Sequence, residues 1–155
     1  MRVTVIADAS HCPMTKAAGY GYWAVSERGR QGGGGPIKGP IDTSSAAEMA
    51  AMVNGLFFAC MAKIAQEGDH VLLQTDCLAA IGALESKRKE LTKDERYAKQ
   101  RFFEIKKEYG VTVSFRHVKG HTNRTEARYV TNNLCDQRAK AGMRLARKRL
   151  KGEAQ

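Results

Sequence analysis

The sequence predicts an α/β fold: a mixed five-stranded sheet, with the first three strands antiparallel and strands 1, 4 and 5 parallel, flanked by helices. Three observations predict it. Two β-rich runs, 2–7 and 19–25, open the chain close together, as a hairpin does. Helix-periodic stretches then alternate with short strand-like runs at 70–75 and 111–118, the pattern of βαβ units. The length of 155 residues, 43% hydrophobic, suits one core.

Residues 2–7 alternate and end at Asp8, and 19–25 carry Tyr20, Tyr22, Trp23 and Val25, which favour strands. The stretch 31–40, with Gly32 to Gly35 and two prolines, reads either as a weak third strand or as a flexible loop. It is no phosphate-binding loop, because no Gly-Lys-Ser/Thr follows the glycines. Thr43-Ser44-Ser45 opens a long helix running to about residue 66. Met49, Met52, Val53, Leu56, Cys60 and Ile64 form one apolar stripe along it. The run 70–75 is apolar, as a strand buried on both faces is, and it ends at Asp76. A small helix over 77–85, a helix over 92–109 and an alternating strand over 111–118 follow. A last helix over about 132–150 and a tail, 151–155, close one domain spanning 1–155. Right-handed crossovers place strands 1, 4 and 5 side by side, and the C-terminal ends of parallel strands are where such sheets carry their sites.

The 26 Lys and Arg against 16 Asp and Glu give a net charge of +10, which attracts polyanions, nucleic acid foremost, or serves solubility alone. Cys12, Cys60, Cys77 and Cys135 are scattered without a CxxC pair, so a disulfide framework or a zinc knuckle is not expected and reduced thiols in a cytoplasmic setting are. No apolar run is expected to span a membrane, and Asp8 comes too early for a signal peptide. The chain reads as soluble, unprocessed and monomeric.

Four acids carry the chemistry: Asp8 and Asp76 at the ends of central strands, Glu48 in the first turn of the long helix, and Asp136 opening the last one. Each has a structural alternative. Asp8 suits a strand-end turn, Glu48 completes a capping-box spacing with Ser45, and Asp76 and Asp136 suit helix starts. Gathered at one sheet edge, however, the four would repel one another unless cations neutralised them. Mg²⁺, held by one or two carboxylates per ion plus water and phosphate oxygens, is the natural occupant. Two such ions about 3.5–4 Å apart clamp the attacking and leaving oxygens of a phosphodiester displacement. A basic surface would then hold the polyanion while an acidic pit cuts it.

Six motifs in order resemble the ribonuclease H family, type 1 branch, over nearly the whole chain. They are Asp8-Ala9-Ser10, the strand around Gly19-Tyr20-Gly21, Ala47-Glu48-Met49 with Gly55-Leu56, Gln74-Thr75-Asp76-Cys77, Val118-Lys119-Gly120-His121, and Asn132-Asn133-Leu134-Cys135-Asp136. The resemblance implies a ribonuclease H-like sheet and endonucleolytic cleavage of the RNA strand of an RNA–DNA hybrid with Mg²⁺ or Mn²⁺. It implies that Asp8 bridges both ions, with Glu48 and Asp76 on one and Asp136 on the other. His121 would assist proton transfer or product release, a task that histidine as a residue type suits, its unperturbed pKa lying near neutrality. Ala9, Ser10, Ser44, Ser45, Lys119 and Asn132 would meet the substrate. His11, His70 and His117 match no motif and are read as structural.

The chain departs from the family at Ala9, where Gly is usual, at Ser44 and Ser45, where Asn is frequent, and at Leu78, where Gln is common. Such groups distinguish RNA from DNA. Thr125 to Thr131 reads as a loop insertion, with Glu126 solvated. Lys87, Arg88, Lys89 and Lys93 lie where type 1 enzymes often carry a basic protrusion, and are expected on the hybrid's phosphates. The cations from Arg138 to Lys151 either bind phosphate too or complement the helix dipole. Two rivals stay open: a Holliday-junction resolvase of the same fold, and a nucleic-acid-binding module without catalysis.

Overall fold

A computed structural model describes residues 1–118 and 127–154. Its elements are β1 (Arg2–His11), β2 (Ala18–Ser26), β3 (Gly29–Ile37), α1 (Ser44–Met61), β4 (His70–Thr75), α2 (Leu78–Leu84), α3 (Lys93–Tyr109), β5 (Thr112–His117) and α4 (Ala127–Ala154). The sheet runs β3-β2-β1-β4-β5, antiparallel across β3, β2 and β1 and parallel across β1, β4 and β5, as the sequence predicts. Helices α1 and α3 cover one face and α4 the other.

Alternation decides which side chains go where. Val3, Val5 and Ala7 of β1 join Tyr22 and Ala24 of β2 beneath α1, whose Met49, Met52, Val53, Leu56 and Cys60 are all buried. By length and hydropathy α1 passes for a membrane span, which the sequence reading did not expect of any segment. It is placed instead as a core helix, with ten residues buried against the sheet and neighbouring helices. It also ends sooner than its periodicity suggests, at Met61. The chain then turns through Lys63 (φ 60°) and drops Ile64 into the core, where its carbonyl accepts from Ser26 Oγ at 2.8 Å and Arg28 Nη1 at 3.1 Å.

Two elements go beyond what the sequence left open. The glycine run, open between a weak strand and a loop, is a full strand, paired with β2 from Ser26↔Gly29 to Ala18↔Ile37. Glycine is a poor strand former, and packing supplies the reason: a Cβ on Gly142 of α4 would lie 2.1 Å from the Gly35 carbonyl oxygen. Helix and strand meet backbone to backbone. The last helix starts at Ala127 and runs to Ala154, so from that residue on the segment read as a loop insertion is helical. The rest of it, Thr125 and Glu126, lies outside the described residues.

A candidate carboxylate active site

Asp8 is not at the end of its strand. The parallel pairing with β4 stops at Ile6↔Gln74, while the antiparallel pairing with β2 continues through Asp8↔Gly21 to His11↔Ala18. Asp8 therefore stands where β1 has lost one neighbour and kept the other, an opening into which side chains from three other elements converge. It is only 4% exposed.

Glu48 arrives from α1. Thr43, not Ser45, caps that helix, its side chain accepting from the Ala46 N–H at 3.0 Å. Glu48 is thus no capping-box residue, and its Oε1 accepts from the Ala9 N–H at 3.3 Å. The same N–H donates to Asp8 Oδ1 at 2.9 Å, so the group expected to face the substrate is shared between two carboxylates. Asp76 follows β4 in a turn whose peptide groups are tied down on both sides. His117 Nε2 donates to the Asp76 carbonyl at 3.1 Å, and the Cys77 N–H donates to Thr75 Oγ1 at 3.2 Å. Cys77 holds the N-cap position of α2, so Asp76 does not cap it. Ligand oxygens of Asp8, Glu48 and Asp76 lie within 4.8 Å of one another.

Asp136 comes from α4, well inside the helix rather than at its start, which removes the helix-start explanation for it. Its reach to Asp8 depends on Gly21, the residue paired with Asp8. A Cβ there would lie 2.2 Å from the Cys135 carbonyl oxygen, so only glycine lets α4 approach this closely. Asp136 lies close enough to Asp8 for its charge to act on it, outside the tight cluster of the other three, and pairs with Lys140 at 3.0 Å.

The electrostatics follow from the crowding. Burial, then the charges of Asp76 and Asp136, push Asp8 up to about 8. Burial, then Asp8 and Asp76, push Glu48 up to about 10. Glu48 Oε2 is buried with no hydrogen-bond partner. An orphaned carboxylate oxygen beside two further acids is a costly arrangement for the protein alone, and it is the donor set that a hard divalent cation completes.

The other predicted residues fall into groups. Ser10 is half-buried, Ser44 exposed and Asn132 buried, with Asn132 Oδ1 unpartnered. Ser45 Oγ accepts from Arg88 Nη1 at 3.1 Å. Arg88 also donates to Glu95 Oε2 at 2.7 Å and to the Ala79 carbonyl at 3.3 Å, so this arginine is turned inward. Between α2 and α3 there is a short non-helical connection rather than a protruding helix, with Lys87 and Lys89 exposed and Lys87 3.4 Å from Glu85. Lys119 and His121 lie outside the described residues. His11 and His70, read as structural, bond the Ile41 carbonyl and the Thr112 and Ser114 hydroxyls. His117, also read as structural, bonds the Asp76 carbonyl beside the site, where the β4–β5 register sets it opposite Thr75.

A mixed sheet of this order, with acids from β1, α1, α4 and the end of β4 brought together, defines a class: nucleases that work through clustered carboxylates. The sequence profile of the RNase H family matches residues 1–144, and the chain belongs to that family, a family of ribonucleases. No curated protein sequence matches it. Among solved structures it is similar to RNase H1 from the halophilic archaeon Halobacterium salinarum NRC-1, at 21% identity and TM-score 0.70, covering 94% of this chain and 100% of that one. It is similar to the N-terminal RNase H domain of rv2228c from Mycobacterium tuberculosis, at 17% identity and TM-score 0.67, covering 95% and 96%. LC11-RNase H1, solved in complex with an RNA/DNA hybrid, matches at 16% identity and TM-score 0.71, covering 93% and 98%.

Proposed function

We propose that the protein is a Mg²⁺-dependent endonuclease that hydrolyses the RNA strand of RNA–DNA hybrids, as a type 1 ribonuclease H does. The observation that carries this reading is the buried carboxylate cluster, with its orphaned Glu48 oxygen, in a chain of the RNase H family. The hybrid bound to LC11-RNase H1 supports the substrate.

In this reading Asp8, Glu48, Asp76 and Asp136 hold two ions, Mg²⁺ or in its place Mn²⁺. Bound there, the metals supply the charge that activates water and stabilises the leaving oxygen. The protein's part is positioning. The Ala9 N–H orients Asp8 and Glu48, and the turn clamped by His117 and Thr75 aims Asp76. His121 takes or returns a proton. Ser10, Ser44, Ser45, Lys119 and Asn132 meet the substrate, with Ser44 and Ser45 toward the 2′-hydroxyl side, and Lys87 and Lys89 contact phosphates. The protein acts as a monomer in the cytoplasm, which its four free thiols suit.

End-labelled substrates test the reading: an RNA–DNA hybrid, double-stranded RNA, single-stranded RNA and a four-way DNA junction, with Mg²⁺, Mn²⁺ or chelator. Metal-dependent cutting confined to the RNA of the hybrid, lost in Asp76→Asn, is the expected result. Cutting of the junction alone would make the protein a resolvase, and tight binding without cutting would make it a module without chemistry.

A further inference from the structure

The carboxylate site leaves most of α4's charge unused. This helix carries eight of the chain's 26 lysines and arginines but two of its 16 acids. Its inner face, Cys135, Ala139, Gly142 and Ala146, is buried against the sheet. Lys140 is paired with Asp136, and Arg138 is turned inward to donate to the Tyr22 carbonyl at 3.3 Å. Beyond them Arg144, Lys148, Arg149 and Lys151 stand exposed, and among the described residues none has an acidic partner.

These cations do not stand alone on a solvated helix. The C-terminal half of α4 reaches the end of β3 and closes a cavity of about 330 Å³ with Pro36 to Gly39. Lys38 from the strand end and Arg149 from the helix line the same cavity, and among the described residues no acid lines it. On the neighbouring turn of chain, Arg147 reaches Cys12, between β1 and β2. Like charges from separate elements thus converge where a neutral contact would have served packing better, and a polyanion is what such a surface complements.

The distance to the pit sets the scale. Asp136 stands beside Asp8, and Arg149 lies 13 residues further along the helix, about 20 Å at 1.5 Å per residue. At about 3.4 Å per base pair this is about six base pairs from the cut. We propose that the C-terminal half of α4, together with Lys38, is a second phosphate-binding surface that holds the flank of the nucleic-acid duplex whose RNA is cut in the pit. The proposal rests on the hybrid-nuclease reading and adds to it a footprint longer than the pit requires.

The test is binding in chelator, where nothing is cut, of 8- and 24-base-pair RNA–DNA hybrids by fluorescence anisotropy between 50 and 200 mM KCl. The proteins are the wild type, the Arg144→Gln, Lys148→Gln, Arg149→Gln, Lys151→Gln variant, and Lys38→Gln, which leaves the helix untouched. On the long hybrid the fourfold variant should lose about 3–4 units of log–log salt slope, at about 0.9 per phosphate contact. Across that salt range the wild type then loses about a hundredfold more affinity than the variant. Lys38→Gln should lose about one unit. On the short hybrid, which when centred on the pit reaches about four base pairs to each side and stops short of Lys148, Arg149 and Lys151, the losses should be much smaller. An unchanged slope on the long hybrid overturns the proposal, as does an equal loss on short and long, which would mean a diffuse field. Cleavage of the short hybrid in Mg²⁺ separates the two readings. Its absence in the wild type sinks the nuclease reading, whereas wild-type cleavage with an unchanged slope sinks only this surface.

Discussion

Replacing Asp8 by asparagine should stabilise the metal-free protein while abolishing its activity. Asp8 is 4% exposed and its carboxyl is pushed from 3.8 up to about 8 by burial, Asp76 and Asp136. A carboxyl whose folded pKa lies above its unfolded value binds more protons in the folded state. The stability it contributes is full below about pH 4 and is lost as pH rises through about 8. At pH 7 some three pH units of that loss have accrued, each worth about 1.4 kcal/mol, which sets an upper bound of about 4 kcal/mol. Asparagine removes the charge, can keep the bond from the Ala9 N–H, and can donate to Glu48. Asp8→Asn in chelator should therefore gain about 2–4 kcal/mol, or about 5–10 °C in Tm for a chain of this size. The gain should shrink as pH falls toward 4. Mg²⁺ should narrow the gap, raising the wild type by about 2.7 kcal/mol at a hundredfold excess over Kd and the variant by much less. Thermal melts read by circular dichroism, at pH 4 and 7, with chelator or Mg²⁺, measure all of this. A variant less stable than the wild type in chelator at pH 7 would refute the claim that the pit is a site of repulsion awaiting cations.

Other outcomes follow from named contacts. Gly21→Ala sets a Cβ 2.2 Å from the Cys135 carbonyl oxygen and should cost about 1–3 kcal/mol by urea denaturation, with activity falling further than stability because Asp136 is displaced. Glu95 is buried, which raises its pKa, but the Arg88 hydrogen bond and the Thr92 N–H outweigh this and hold it near 2. Its contribution is present above about pH 4.5 and fades as pH falls toward 2, so the stability difference between wild type and Glu95→Gln should narrow on acidification. Arg88→Ala leaves Glu95 buried without its partner and should cost about 3 kcal/mol in chemical denaturation. His117→Ala should lower kcat with little change in KM, and His117→Gln, which keeps a donor for the Asp76 carbonyl, should restore much of it.

The parts legible in the sequence were those that local chemistry decides. The alternation of β1 and β5 and the apolar stripe of α1 are each written in residues close along the chain. The parts that were not legible depend on a partner far along the chain. The glycines of β3 carry no strand propensity, and the strand exists because α4 lies on it. Arg88 reads as a surface cation until Glu95 and Ser45 are seen to enclose it. The acids of the site were singled out by their places at strand ends and helix starts, but the alternatives for Glu48, Asp76 and Asp136 fell only once the true caps of α1 and α2 and the true start of α4 were known.

The close seating of α4 on the strands has a consequence for how the protein tolerates insertions. Two points fix the helix: the Cys135 carbonyl over Gly21, and Gly142 against the Gly35 carbonyl. Together they index the helix to the hairpin, so that neither sliding nor rolling is free, and Asp136 inherits its place from the register of β2 and β3. The hairpin serves as a ruler for a residue more than a hundred positions away. Extra residues at its tip, around Glu27 and Arg28, leave the scale intact. One residue gained or lost between Gly21 and Gly35 on only one of its strands moves the mark, and the fourth carboxylate with it.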